Sequence, residues 1–159
     1  MLNSEILDTF KQLLEEAKAS GDIEPTAMNL ATVDAAGRVS SRIVLLKDVE
    51  ERGFRFFPNY QSDKGSQIDA HPQVALDLHW KSVREGVQVR VEGVARKLLP
   101  EESDAYFATR PRGSQIGAWA SLQSQTLPDR ETFEQRVARY EQEFEGRDVP
   151  RPAHWGGYV

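Results

Sequence analysis

VQVRVEGVARKLLPEESDAYFATR, residues 87–110, changes its period half-way along. In the first half Val87, Val89 and Val91 alternate with Gln88, Arg90 and Glu92, the two-residue repeat of a strand with one buried face. From Pro100 the repeat lengthens to a helical one. That boundary divides the chain. Before it, AMNLATV (27–33) alternates as a strand, Asp34–Gly37 reads as a hairpin turn, RVSSRIVLLKDV (38–49) as a second strand, FRFF (54–57) as a third and VALDLHW (74–80) as a fourth, so the quoted stretch begins with the fifth. After it the pattern is helical, in residues 100–110 and again in DRETFEQRVARYEQEFEG (129–146). Strands first and helices afterwards predict an α+β fold, with an antiparallel sheet closed or nearly closed into a barrel and the helices peripheral to it.

Two further helices are legible before Pro100. Residues 4–19 put Ile6, Leu7, Phe10, Leu13, Leu14 and Ala17 on one stripe, with Asn3 or Ser4 to cap the start and Gly21 just past the end. QSDKGSQIDAHP (61–72) reads as a short helix capped by Ser62 and stopped before Pro72. No repeat or linker interrupts the chain, and 159 residues suffice for one hydrophobic core but not for two, which predicts a single domain over 1–159. At HWGGYV the glycines lead towards a strand that nothing remains to form, so the expectation is of an edge completed by a partner chain or by further sequence.

Composition narrows the function. With 39% hydrophobic and 28% charged residues the chain is of the globular class, and its longest aliphatic run, Ile43–Leu46, falls far short of the ~20 residues of a membrane span. MLNSEILDTFKQLLEEAKASG lacks the basic head and apolar block of a secretory signal, and there is no cysteine for a disulfide or thiolate site, so the expected compartment is the cytoplasm. A net charge of −5 argues against a nucleic-acid binder. Cations nonetheless gather locally: Arg42 with Lys47, Lys64, and Arg110 with Arg112 each stand beside serine, glycine or glutamine, a setting for small anionic ligands. His71, His79 and His154 are scattered, so neither a metal site nor a serine–histidine–acid hydrolase is expected.

Three stretches carry the anion donors. SDKG (62–65) opens a helix whose N–H groups and positive dipole end suit a phosphate, with Lys64 adding a full charge; the plain alternative is a capped surface helix. In SSRIVLLK (40–47), strand alternation puts Arg42, Val44 and Leu46 on one face and Ile43, Leu45 and Lys47 on the other, and two charges on an apolar strand are costly to bury without partners; the plain alternative is an exposed strand end at Lys47. In RPRGSQIGAWASLQS (110–124), Tyr106 stands one helical turn before Arg110, and a phenol, a guanidinium fork and the Ser114 hydroxyl suit one phosphate, while Gln123 and Ser124 suit a second polar ligand. Arg112 is expected to face solvent only, and the alternative for the stretch is a turn between two helices with Trp119 in the core. Anion donors and amides without a catalytic acid or base fit a phosphorylated cofactor that brings its own reactivity.

Taken together, EPTAMNLATVD, SRIVLLK, FFPN followed by SDKG, QVRVEG, YFATRPRGSQIGAWASLQS and PRPAHWGGYV resemble, in order and spacing, the pyridoxamine 5′-phosphate oxidase family over residues 24–159. The resemblance implies an FMN-binding split barrel, working as a homodimer with FMN in clefts between the subunits. It implies oxidation of pyridoxine or pyridoxamine 5′-phosphate at the 4′ carbon to pyridoxal 5′-phosphate, with hydride passing to flavin N5 and O₂ reduced to hydrogen peroxide. By motif, it assigns the cofactor to Arg42, Ile43, Val44, Leu45, Lys47, Phe57, Pro58, Ser62, Lys64, Gln88, Gln123 and Ser124, and the phosphate of the small substrate to Lys47, Tyr106, Arg110 and Ser114. No metal and no general base are implied.

The sequence departs from the family pattern in places. Asp63-Lys64 stands where the family usually has Arg-Lys, which implies weaker FMN binding. The loop KSVREGV (81–87) is longer than usual, so Gln88 is placed by the VRVEG that follows it. The family also continues past WGGY, with strands carrying a flavin-side tryptophan and an Arg-Leu-His motif, and many members begin with a basic segment. The expectation is a trimmed form of a complete oxidase, because Tyr106, Arg110 and Ser114 remain. The alternatives are a short relative that binds FMN without efficient turnover, or a flavin enzyme of the same fold with another substrate.

Overall fold

Every strand lies in one part of the chain. The computed structural model describes residues 1–159 in two units, the first made of Met1–Phe57, Gln67–Arg96 and Tyr158–Val159, the second of Pro58–Ser66 and Lys97–Gly157.

In the first unit α1 (Ser4–Ala19) starts on Asn3, whose side-chain oxygen accepts from the Glu5 and Ile6 N–H groups at 2.7 and 3.4 Å. Phe10, Leu14 and Ala17 form its buried face, while Ile6 of the predicted stripe stays exposed. Four strands, β1 (Ala27–Val33), β2 (Val39–Leu45), β5 (Gln73–Trp80) and β6 (Val87–Val94), make an antiparallel sheet in the order β2-β1-β5-β6, and β3 (Asp48–Glu50) and β4 (Gly53–Arg55) make a separate hairpin. Register sets the faces. Arg42 pairs with Leu30, Leu30 with Leu76 and Leu76 with Val91, all on the core side; Ile43 pairs with Asn29, Asn29 with Asp77 and Asp77 with Arg90 on the other. Phe10 closes the core, 4.9 Å from the Phe54 ring and 5.9 Å from that of Trp80, whose indole N–H donates to the Pro25 carbonyl at 2.8 Å.

Three predicted strands are cut where the backbone changes partner. Residues 38–49 divide because the Leu46 N–H donates to the Thr26 carbonyl at 2.8 Å and the Lys47 N–H to the Arg55 carbonyl at 2.9 Å. FRFF shortens to the end of β4 because Phe56 exchanges hydrogen bonds of 3.1 and 2.9 Å with Tyr158. The fifth strand stops at Val94: the Ala95 N–H turns to the Pro72 carbonyl at 2.8 Å, and Arg96 pairs with Val159. The expected unpaired end is thereby corrected for Tyr158 and Val159, which find backbone partners within the chain.

The second unit holds α3 (Pro100–Ala108), α4 (Arg112–Ala120) and α5 (Arg130–Glu143). The 110–124 stretch is therefore no plain turn: α4 runs through it from Pro111, burying Ile116, Ala118 and Ala120. Trp119 packs against Tyr140 and Phe144 at 5.4 and 5.3 Å, and its N–H donates to the Pro150 carbonyl at 2.8 Å. The α+β class and the antiparallel sheet are as the sequence predicts, with β2 and β6 as open edges.

Candidate functional site

The start of α2 (Asp63–Ala70) gathers several of the predicted residues. Ser62 caps it: its hydroxyl accepts from the Gly65 N–H at 3.4 Å and donates to the Asn59 carbonyl at 2.6 Å. The Asp63 N–H donates to the Ser124 hydroxyl at 3.1 Å, and the Lys64 ammonium to the Gln123 side-chain oxygen at 3.1 Å. Ser124 holds φ at 61°, in the left-handed region that is uncommon for a residue with a Cβ. Gly65 is what lets this turn close. A Cβ there would stand 2.6 Å from the carbonyl carbon of Tyr60 and 2.9 Å from its Cα, and backbone atoms have little room to yield.

A second cluster belongs to the sheet. The Arg42 guanidinium donates to the Leu30 carbonyl at 3.1 Å, the Ser40 hydroxyl at 2.9 Å, the Gln67 side-chain oxygen at 3.1 Å and the Thr32 hydroxyl. Both hydroxyls in turn donate to the Gln67 oxygen. Each hydroxyl has one proton, and giving it to Gln67 turns its lone pairs towards Arg42. The network orients the arginine through neutral acceptors. Sequence reasoning did not single out Thr32, Ser40 or Gln67; pairing Thr32 with Ser40 across the hairpin was available from its register, whereas Gln67 comes from another element.

The third cluster lies on α3 and after it. Arg110 Nη1 is buried and has no hydrogen-bond partner. The guanidinium stands 4.7 Å from the centre of the Trp155 ring and 5.7 Å from that of Phe107. Burial holds Arg110 below the usual arginine value, with Tyr106 opposing, and burial raises the Tyr106 phenol, with Arg110 opposing. Ser114 is exposed in the first turn of α4. Arg112, expected to face solvent only, donates to the Arg147 and Phe144 carbonyls at 2.9 and 2.6 Å and satisfies the C-terminal end of α5.

The remaining predicted residues are more dispersed. Lys47 is exposed between β2 and β3, Ile43 projects from the outer face of β2 at 63% exposure, Val44 and Leu45 are half-buried, and Phe57 and Pro58 follow β4, with Pro58 buried. Gln88 is exposed on β6, donating to Asp77 at 2.7 Å. It lies on the sheet face opposite Arg42, with β1 and β5 between their strands. Three strand spacings of about 4.8 Å separate the two, so one chain does not bring Gln88 and Arg42 together. No group of histidine and acidic side chains has the arrangement to hold a metal ion, and no helix is long and apolar enough to cross a membrane.

Comparison with known proteins gives this constellation a family. A sequence profile described as pyridoxamine 5′-phosphate oxidase matches residues 8–144. The chain is 54% identical over 158 residues to the pyridoxine/pyridoxamine 5′-phosphate oxidase of Xanthomonas campestris pv. campestris (strain 8004), covering 99% of this chain and 79% of that one. It belongs to the pyridoxamine 5′-phosphate oxidase family. Another member, from Cupriavidus necator (strain H16), is 53% identical over 96% of this chain and 70% of its own. Among solved structures, PhzG from Burkholderia lata 383, in complex with tetrahydrophenazine-1-carboxylic acid, superposes with a TM-score of 0.86 at 30% identity, covering 95% of this chain and 73% of that one. A pyridoxamine 5′-phosphate oxidase-related, FMN binding protein from Nostoc punctiforme PCC 73102 shares the fold at a TM-score of 0.76 and 15% identity, covering 99% of this chain and 81% of that one. These neighbours identify the architecture as the split barrel of the pyridoxamine 5′-phosphate oxidase family.

Proposed function

We propose that the chain is an FMN-dependent oxidase that converts pyridoxine or pyridoxamine 5′-phosphate to pyridoxal 5′-phosphate, with O₂ reduced to hydrogen peroxide. The observation that carries this reading is Arg110: a buried guanidinium nitrogen with no partner, beside a phenol whose ionisation burial opposes. A buried charged donor left unmatched is costly, and a phosphate monoester supplies its match. Tyr106, Arg110, Ser114 and Lys47 are the substrate-phosphate residues in this reading. Arg42, Lys64, Ser62, Gln123 and Ser124 hold FMN, with Ile43, Val44, Leu45, Lys47, Phe57 and Pro58 along it. The start of α2 fits that role, since its N–H groups, the ammonium and two side-chain oxygens already converge there. FMN, when bound, supplies the hydride acceptor that the chain lacks; the protein's part is to orient two phosphorylated aromatics and neutralise their charge.

The reading includes a homodimer. Gln88 faces away from Arg42 within one chain, so we assign it to the flavin of a second copy. The outer face and edges of the sheet leave Val39, Ile43 and Val94 at 72%, 63% and 48% exposure, apolar surface that a partner would cover. A second reading draws on PhzG: an arginine fork suits a carboxylate as well as a phosphate, and that neighbour was solved with a carboxylic acid bound. Anaerobic mixing of the FMN-loaded protein with pyridoxine 5′-phosphate decides between them. Bleaching of the flavin absorbance is expected; an unbleached spectrum removes the first reading.

Asp63 makes a further expectation. It is exposed at the first residue of α2, where its charge opposes a phosphate. Asp63→Asn should tighten FMN by about 3- to 10-fold at low salt, and the gain should shrink as ionic strength rises. Fluorescence titration at two salt concentrations checks both.

A further inference from the structure

Trp155 touches both of the groups assigned to the substrate phosphate. Its ring lies parallel to that of Tyr106, at 5° and 6.2 Å between centres, and 4.7 Å from the Arg110 guanidinium. The Phe107 ring meets it edge-on at 5.1 Å, so three residues of one short stretch rest on a single indole. Trp155 is only 6% exposed and is fixed through its backbone: Arg151 donates to its carbonyl at 2.6 Å and to Asp104 of α3 at 2.6 Å. The indole is thus tied to the helix that carries Tyr106.

How the ring holds Arg110 matters. A carboxylate would orient a guanidinium by occupying its N–H fork. A ring holds it through the face and leaves the in-plane donors available. Nη1 is in that condition, buried and without a hydrogen-bond partner. We infer that Trp155 is the positioning residue of the phosphate site: it packs on the faces of Arg110 and Tyr106 and keeps the Arg110 donor edge for a phosphate monoester. This rests on the assignment of Arg110 to the substrate phosphate.

The test uses the FMN-loaded protein, with pyridoxal 5′-phosphate and pyridoxal as probes, and Trp155→Leu, Trp155→Phe and Arg110→Lys as variants. Trp155→Leu should weaken pyridoxal 5′-phosphate about tenfold, which is about 1.4 kcal/mol, and leave pyridoxal and FMN affinities unchanged. Trp155→Phe retains a smaller face and should restore part of the loss, leaving pyridoxal 5′-phosphate about threefold weaker than in the parent. Should the leucine variant not fold, the phenylalanine variant decides: a loss confined to the phosphorylated probe supports positioning. Equal weakening of both probes, or an unchanged pyridoxal 5′-phosphate affinity, overturns it. Arg110→Lys separates the two levels, because if it leaves pyridoxal 5′-phosphate binding intact the phosphate assignment itself fails, whatever Trp155 does.

Discussion

Arg110→Ala is expected to weaken pyridoxal 5′-phosphate binding by about 10- to 150-fold and to leave FMN affinity unchanged. A hydrogen bond to a charged group contributes roughly 1.5–3 kcal/mol, and each 1.4 kcal/mol is tenfold in affinity. The ligand-free protein should not lose stability in proportion. Its Nη1 is buried without a partner, an unfavourable state that alanine abolishes, against which stands the lost contact with Trp155 at 4.7 Å. Arg112, two residues on, should behave in the opposite way. Its two bonds to the Phe144 and Arg147 carbonyls hold the end of α5, so Arg112→Ala should lower Tm and spare ligand affinity. Titrations with both ligands, beside thermal melts of both variants, test the division of labour; equal loss of FMN and pyridoxal 5′-phosphate in the Arg110 variant would refute it.

Gly65→Ala is the substitution expected to damage the fold and the flavin site together. The added Cβ would meet the Tyr60 backbone, at 2.6 Å from its carbonyl carbon. Overpacking against atoms that cannot swing aside costs up to about 3 kcal/mol, which for a chain of this size lowers Tm by about 6–12 °C. Any relief displaces the first turn of α2, and with it the 3.1 Å bonds of Asp63 and Lys64 to Ser124 and Gln123, so FMN affinity should fall too. Gly156→Ala is the informative contrast. Its Cβ would also meet Tyr60, but at the ring end, 2.6 Å from Cζ, where a side chain can rotate, and the loss of Tm should be smaller. A Gly65→Ala protein with parental Tm and FMN affinity would remove the close approach as the reason for that glycine.

The sequence carried the class of the fold because local period is a local property. Valine alternation before Pro100 and helical spacing after it survive any packing, and Asn3 and Ser62 cap their helices from within a few residues. Strand ends were less legible. Leu46 ends the apolar run of β2 and Lys47 follows it, yet their N–H groups bond to Thr26, just before β1, and to Arg55 of β4, and nothing in the run announces the exchange. The helix α4 was hidden because glycine, serine and proline at its start read as a turn.

The candidate residues were legible as chemistry: cations beside hydroxyls and amides, in an acidic chain, belong to anions wherever they lie. That much the sequence determined by itself, together with the α+β class. Tertiary structure alone decided which cation is oriented by what. It set Arg42 on Thr32, Ser40 and Gln67, gave Arg112 to the carbonyls after α5, and left Arg110 on the face of Trp155 with a buried nitrogen unmatched. It also turned Gln88 to the opposite face of the sheet. The physical reason is that residue type fixes what a side chain can donate, whereas burial and the partners supplied by distant segments fix whether that donor is already spent.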